Sequence, residues 1–372
     1  MPSAKPNCWL KDKLPIKLRV EPNQITIMKT KITILFFMYS VLFFAQDEKQ
    51  FKVRTIAFYN VENLFDTEND TLIFDDDRTP DGKDNWTLER YFKKVEKVSK
   101  VLSEIGSDVT KTSPDIIGLC EVENLGVIED LTNHAYLRNK NYGTIHFDSP
   151  DERGIDVALL YKRNSFLPTS FASHRLLLID NEGMRNYTRD QLVVGGLLDD
   201  EQIHFIINHW PSRSGGEARS KPGRIAAAKL NKRIMDSIQR LDASAKIISM
   251  GDFNDGPRDD SFKKILKANG NNSNIIGREL FNPMEKLSKR GVGSLAYRDK
   301  WNLFDQIFFT GNLLNSTIGY RFWKVGVHNP KYLATKKGQY KGYPFRTYAG
   351  GSYAGGYSDH FPVYIYLIKE VN

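Results

Sequence analysis

Cysteine is almost absent from this 372-residue chain, which has only Cys8 and Cys120. Two thiols cannot build a disulfide framework, and without a Cys/His cluster a structural zinc site is excluded as well. Stability must come from an apolar core, for which a chain of roughly 320 residues is ample. Long apolar runs are also missing. The longest, Ile32–Ala45, has 14 residues, short of the ~20 that a membrane-spanning helix needs. Internal repeats and long linkers are lacking, which leaves no basis for a repeat architecture. Charge of one sign is scarce where it would matter. The formal net charge is +8, but residues 1–45 hold seven Lys and Arg against Asp12 and Glu21, so five of the eight positive charges lie there. The three left on the remainder give no ground, as a total, for nucleic-acid binding, although a locally positive groove stays open.

The start of the chain has its own character. Met28–Ala45 reads MKTKITILFFMYSVLFFA, with Lys29 and Lys31 ahead of the apolar run. This is the pattern of a secretory signal peptide cut before Gln46. No Cys follows it, so lipid attachment at a new N-terminus is not expected. Residues 1–27 are expected to be an over-extended gene start or a disordered leader, and residues 46–372 a single domain. The export signal implies a secreted or periplasmic protein with no stable membrane association after cleavage. A monomer is the default expectation. Cys120, the one thiol beyond the signal, lies in an apolar stretch and reads as a packing residue.

Apolar periodicity beyond residue 50 alternates between two kinds. Thr87–Ile105 carries Leu88, Tyr91, Phe92, Val95, Val98 and Leu102, the spacing of an amphipathic helix. Arg224–Leu241 repeats that pattern with Ala227, Leu230, Ile234 and Ile238, and shorter helices are predicted at Leu125–Leu137 and Asp260–Ala268. Strands are predicted at Val53–Asn60, Ile116–Glu121, Val157–Tyr161, Leu192–Leu198, Ile203–Asn208, Ile247–Gly251, Phe304–Thr310 and Pro362–Leu367. Ile116–Glu121 is mostly apolar and is expected to be buried on both faces. Strands and helices mixed along one chain imply an α/β layered domain. Three polar loops stand out: acidic Thr67–Lys83, Ser212–Gly223 rich in Gly, Ser, Arg and Lys, and Val325–Gly356 rich in Tyr, Phe and Lys. Loops of this kind usually carry specificity.

Acids, amides and imidazoles gather in short segments beside the apolar runs: Phe58–Asp66 (FYNVENLFD), Pro114–Asn124 (PDIIGLCEVEN), Asn208–Arg213 (NHWPSR), Met250–Asp255 (MGDFND), Phe304–Phe308 (FDQIF) and Tyr357–Val363 (YSDHFPV). A phosphodiester is an anion with a poor leaving group. Its hydrolysis needs charge neutralisation, an oriented water and help for the departing oxygen, and a hard divalent cation on oxygen ligands meets the first need. Glu121, ending a buried strand, is the strongest ligand candidate, and Asn60 can add a neutral amide oxygen. Gly251 is expected to allow a sharp turn after its strand, aiming Asp252 and Asn254 to one side.

In order and residue type these segments resemble the endonuclease/exonuclease/phosphatase family, the DNase I-like enzymes, over roughly Val53 to Leu367. The resemblance implies a four-layer sandwich of two packed mixed β-sheets flanked by helices, with the chemistry on one rim. It implies that Asn60 and Glu121 hold the metal, Mg²⁺ with Mn²⁺ or Ca²⁺ as alternatives. Asp252 would position or deprotonate the attacking water, and Asn254 would contact the phosphate. His360 would polarise the phosphate or handle a proton, with its ring oriented by Asp305. Asp359 would bind the metal directly or stand just behind it. NHWPSR matches the branch with His after the strand, so His209 would protonate or stabilise the leaving oxygen. Related nucleases place an acid near position 156, which suggests an Asp156–His209 pair.

Phosphate contacts are expected from Arg213 and Arg224 after His209 and from Arg346 in YPFRTY, because a guanidinium suits bidentate phosphate binding. Lys331–Tyr348 interleaves Lys with aromatics, as either a nucleic-acid surface or a solvated hairpin. Tyr297 and Trp301 either wall a groove or belong to the core. The leading expectation is a secreted metal-dependent nuclease acting on DNA or RNA. The alternative is a phosphatase or phosphodiesterase of the same fold acting on a lipid or inositol phosphoester. A binding protein that had lost catalysis would be expected to lack one of Glu121, His209, Asp252 or His360, and all four are present.

Overall fold

The computed structural model describes Lys29, Lys31 and residues 49–371, apart from 181 and 317. The expected leader and signal segment, residues 1–45, lie outside the described residues save those two lysines. Among the described residues no helix is long and apolar enough to cross a membrane. The chain divides into two compact units, Met1–Gln50 and Phe51–Asn372, and the second carries everything that follows.

Twelve strands build its two main sheets: β1 (Gln50–Leu64), β2 (Ile116–Val122), β3 (Tyr142–His146), β4 (Asp156–Lys162), β5 (Phe166–His174), β6 (Gln191–Leu198), β7 (Glu201–His209), β8 (Lys246–Asp252), β9 (Leu280–Phe281), β10 (Asp305–Thr310), β11 (Arg321–Val327) and β12 (Val363–Val371). The first sheet runs β11-β12-β1-β2-β4-β3 and the second β9-β10-β8-β7-β6-β5, six strands each. Both are mixed. β1 and β2 are parallel while β2 and β4 are antiparallel; β7 and β8 are parallel while β8 and β10 are antiparallel.

Period-two alternation explains the layering. On β1, Ile56 and Phe58 face the second sheet, whereas Ala57, Tyr59 and Val61 face outward. On β2, Ile116 and Cys120 point inward and Ile117 and Leu119 outward, and all four are fully buried. The inward residues meet Phe205, Ile207, Ile248, Met250, Ile307 and Phe309 of the second sheet in one inter-sheet core. The outer face of the first sheet is covered by α1 (Leu88–Glu104) through Val95, Val98 and Leu102 and by α2 (Leu125–Asn133) through Val127, Ile128 and Leu131. The outer face of the second sheet is covered by α3 (Glu217–Leu241) through Ala227, Ala228, Ile234 and Met235. The result is helix, sheet, sheet, helix: the four-layer DNase I-like sandwich.

The predicted helix starts fit where a cap exists. Thr87 accepts from the Arg90 amide to begin α1, and Asn124 accepts from the Val127 amide at 3.0 Å to begin α2. The third helix starts at Glu217 rather than Arg224, so half of the expected loop 212–223 is helical, and Pro222 lies within it. Gly251 does not turn the chain. It is a strand residue in register with Asn208, and a Cβ there would sit 2.4 Å from the Asn208 carbonyl oxygen. Strands β3, β5 and β11 were not expected. All three close a sheet edge, and β5 is largely exposed, so their sequences lack the apolar signal of the central strands.

Candidate active site

The alternation that builds the inter-sheet core also builds the site, because polar residues take over the inward positions where the strands end. His209 follows Ile203, Phe205 and Ile207 on β7, Asp252 follows Ile248 and Met250 on β8, and Asp305 precedes Ile307 and Phe309 on β10. Strand register sets them side by side, with Asp252 opposite both His209 and Asp305. Asn208 anchors this rim from outside: its Nδ2 donates to Ser249 Oγ at 3.0 Å, and its Oδ1 accepts from Asn231 at 2.9 Å and from Trp210 Nε1 at 3.1 Å. From the first sheet, Asn60 arrives at the same end of the inter-sheet space, one residue beyond the register that pairs Tyr59 with Leu119.

Four site positions hold a left-handed backbone without glycine: Glu62 (φ 54°), Asn63 (φ 50°), Glu121 (φ 62°) and Asn254 (φ 51°). Such strain persists where the surroundings over-determine it, and it clusters at functional sites. At Glu121 it swings the carboxylate out of strand alternation. Glu121 Oε1 then accepts from Asn60 Nδ2 at 3.2 Å, and Oε2 accepts from the Asn63 amide at 2.9 Å.

The predicted residues Glu121, His209, Asp252, Asp305 and His360 are brought together. His209 Nε2 lies 3.7 Å from Glu121 Oε1 and 3.8 Å from Asp252 Oδ2. His360 Nε2 lies 3.9 Å from Asp252 Oδ2 and 3.8 Å from Asp359 Oδ1. On its other side, the His360 ring donates from Nδ1 to Asp305 Oδ2 at 2.6 Å, as the sequence suggested. Asn254 is positioned by its own amide, which donates to Asp252 Oδ1 at 3.0 Å, and its side chain donates to the Trp210 carbonyl.

Burial and crowding set the protonation states. Burial pushes the Asp252 carboxyl up to about 7, and the charges of Asp305 and Glu121 add to it against the pull of His360. Burial opposes charge on His360, but Asp305, Asp359 and Asp252 outweigh it and hold the imidazole well above its usual range. Burial drives His209 the other way, helped by Arg189, Arg153 and His360, so its ring is neutral. His209 Nδ1 is buried without a hydrogen-bond partner.

Several expectations fail on geometry. Asp156 does not orient His209. Its Oδ2 is 3.0 Å from His146 Nε2 and its Oδ1 accepts from the Ser149 amide at 2.7 Å, because Asp156 continues the outward face of Ala158 and Leu160 on β4, away from the inter-sheet space that holds His209. Asn60 turns its amide nitrogen, not its oxygen, to the pocket. The Glu62 amide takes Oδ1 at 2.9 Å, and Nδ2 bridges Glu121 and Asp252. Arg224 is fully buried, with Nε 2.6 Å from Asp255 Oδ1, and cannot reach a substrate. Arg213 is held by Asp255, Asp259, Glu217 and the Asn254 carbonyl and lies over the Phe304 ring, so it braces the Asn254 loop. Arg346 bonds Asp359 Oδ2 at 2.6 Å and lies 3.4 Å from Glu62 Oε1, with half its side chain exposed.

That last contact identifies residues the sequence reading passed over. Glu62 sits within FYNVENLFD, buried beside Asp359, and accepts from the Thr347 amide at 2.6 Å. Lys94 of α1 stands 3.8 Å from Glu62 and donates to Thr347 and the Tyr357 carbonyl, each at 2.6 Å. A lysine on the apolar stripe of a helix was the available signal for this buried counter-charge.

The donor set suits a hard divalent cation. Glu121, Asp252 and Asp359 each present a carboxylate oxygen within 4 Å of Nε2 of His209 or His360, and ligand atoms of Asp252, Asp305 and His360 lie within 4.8 Å of one another. Enzymes of this fold use divalent metals, and the acidic and imidazole groups gathered here could bind one.

The sequence model of the Endonuclease/Exonuclease/phosphatase family matches residues 55–369. No curated protein matches the chain. Among solved structures, an endonuclease/exonuclease/phosphatase family protein from Bacteroides thetaiotaomicron has a TM-score of 0.52 at 17% identity, covering 87% of this chain and 100% of its own. A D. rerio TDP2 humanised by 14 mutations has a TM-score of 0.51 at 12% identity, with 85% and 98% covered. A mannosyl-6-phosphatase from Bacteroides thetaiotaomicron VPI-5482 has a TM-score of 0.50 at 16% identity, with 84% and 99% covered. These likenesses carry the fold, and members of the superfamily are hydrolases of phosphoesters. With the family match spanning nearly all of the second unit and the pocket residues in place, this chain belongs to the endonuclease/exonuclease/phosphatase family.

Proposed function

We propose that the protein is a secreted, divalent-metal-dependent phosphodiesterase that cuts DNA or RNA by in-line attack of water. The observation that carries this reading is geometric: His209 Nε2 and His360 Nε2 both face Asp252 Oδ2, at 3.8 and 3.9 Å, with Asp305 bonded behind His360. When bound, the cation neutralises phosphate charge and polarises the phosphorus centre. Asp252, with a carboxyl near 7, orients the water and takes its proton as the new P–O bond forms. Charged His360, fixed by Asp305, donates to a non-bridging phosphate oxygen. Neutral His209 carries its proton on Nε2, the nitrogen facing the pocket, and stabilises the leaving oxygen as that P–O bond breaks. Export is supported by Met28–Ala45.

One observation favours the alternative, a lipid or inositol phosphoester. Beyond Val122, in register with Asp156, a cavity of about 310 Å³ is lined by Asp66, Glu68, Asp70, Glu123, Asp148 and Asp156. It would repel a polyanion on that side of the rim.

The deciding experiment incubates the protein with supercoiled plasmid, total RNA, bis(p-nitrophenyl) phosphate and inositol or lipid phosphoesters, with Mg²⁺ or with chelator. Nicking or RNA cleavage that stops with chelator, and falls about 10²–10³-fold in His209→Ala, is expected. Turnover of only the lipid or inositol esters would transfer the assignment to the alternative.

A further inference from the structure

A run of aromatic rings leads outward from His360. Phe361, next in the chain, is buried, and its amide donates to the Ser294 carbonyl at 2.7 Å. That bond fixes the hairpin formed by Leu295–Tyr297 and Lys300–Asn302 beside the pocket. Trp301 of the hairpin lies nearly parallel to Phe361, with centroids 6.0 Å apart and planes 15° from parallel. Tyr343 follows at 5.9 Å from Trp301, and Tyr340 at 5.7 Å from Tyr343. Phe361 closes the inner end, whereas Trp301 is 39% and Tyr340 47% exposed.

The hairpin turn shows that this arrangement is held in place. Arg298 and Asp299 both have positive φ, 47° and 60°. A two-residue turn of that shape favours Asn-Gly. Both side chains are used here. Arg298 lies over the Tyr297 ring at 5.2 Å. Asp299 accepts from the Tyr343 hydroxyl at 2.6 Å while its amide donates to the same oxygen at 2.7 Å. Glycine at 299 would relieve the backbone but could not make the carboxylate contact that locks Tyr343 onto the hairpin. Exposed lysines flank the rings: Lys300 on the hairpin and Lys336, Lys337 and Lys341 on the facing loop.

We propose that the Trp301–Tyr343–Tyr340 array is a base-stacking platform that selects single-stranded nucleic acid. The proposal rests on the nuclease reading above and specifies its substrate. Aromatic faces take any unstacked base irrespective of sequence, and lysines alongside neutralise the backbone. Paired bases in a duplex keep their faces covered, so a duplex gains nothing from these rings.

The test uses the full protein with Mg²⁺ and non-hydrolysable phosphorothioate strands. Affinity is measured for a single-stranded oligothymidylate, an abasic strand of equal length, a blunt duplex and anionic phospholipid vesicles. Wild type is expected to hold the base-bearing strand about 5–150-fold tighter than the abasic one. Trp301→Ala should collapse that ratio toward one, and Trp301→Phe should restore most of it. Tyr340→Ala, which leaves the Trp301–Phe361 pair intact, should lower the ratio less. Equal affinity of wild type for base-bearing and abasic strands overturns the proposal, as does a ratio unchanged by both Trp301→Ala and Tyr340→Ala, or binding to vesicles alone. Hydrolysis of bis(p-nitrophenyl) phosphate by wild type is scored separately. Its presence without base-dependent binding sinks the platform and spares the phosphodiesterase, and its absence sinks the phosphodiesterase.

Discussion

Replacing Asp305 by Asn is the sharpest probe of the pocket. The side chain keeps its shape and can still accept from His360 Nδ1, so the ring orientation survives while the charge is removed. The pair is buried, Asp305 completely, and the contact is 2.6 Å. Coulomb's law at that separation, with an effective dielectric near 20, gives on the order of 6 kcal/mol. Relaxation reduces this, and breaking a buried pair typically costs about 3–5 kcal/mol. If His360 must be charged to bind the phosphate, most of that appears in the barrier, a fall of about 10²–10³-fold in kcat/KM. The pH profile should move with it. Asp305 holds the His360 pKa up, so wild type keeps the imidazolium as pH rises above the usual histidine range. Without the carboxylate the charged form is lost at lower pH, and the alkaline limb of kcat/KM moves down. Steady-state rates on bis(p-nitrophenyl) phosphate from pH 5 to 10 measure both effects, with circular dichroism to establish the fold. A large rate loss with an unmoved alkaline limb would refute the role of charge on His360, and unchanged kinetics would refute the pairing as a functional contact.

Two further substitutions test readings that the geometry changed. Arg224→Met should destabilise the fold by about 1.5–3 kcal/mol, because it removes the nearer of two guanidinium partners of buried Asp255, which keeps Arg213 at 3.1 Å and Ser261 at 2.7 Å, and should leave KM within about twofold in denaturant-free assays. A rise in KM at full stability would return Arg224 to the substrate surface. Glu123→Gln should flatten the pH dependence of melting temperature between about pH 4 and 8 in chelator. Burial first, and then Asp66, Asp75 and Asp70, raise the Glu123 carboxyl to about 8. A folded-state pKa above the unfolded value of about 4.3 means that the native protein holds a proton the unfolded chain has lost. Its stabilising share is therefore full below about pH 4 and is lost as pH rises through 8. Calorimetry showing the same slope in both proteins would place the titration elsewhere.

The pieces of the site were legible in the sequence because each stands at the end of an apolar run. Alternation along β7, β8 and β10 already fixes that His209, Asp252 and Asp305 continue the inward faces of Ile207, Met250 and Ile307. The central strands and both capped helices were legible for the same reason, since full burial leaves a continuous apolar or strictly periodic record. The edge strands β3, β5 and β11 were not, because one unpaired, solvated side imposes no such pattern.

The sequence by itself determined the inventory: an oxygen-rich donor set, two imidazoles, strand ends to carry them and a core large enough to hold them without disulfides. What it could not decide was who pairs with whom. Asp156 went to His146 instead of His209, Asn60 gave its oxygen to a backbone amide, and the three arginines expected at phosphate are ion-paired with carboxylates of the chain itself. Partner choice depends on which neighbouring strand a side chain faces and on the left-handed turns at Glu62, Glu121 and Asn254. Both arise only when two sheets meet, because a hydrogen bond is set by distances of a few tenths of an ångström between residues up to three hundred positions apart.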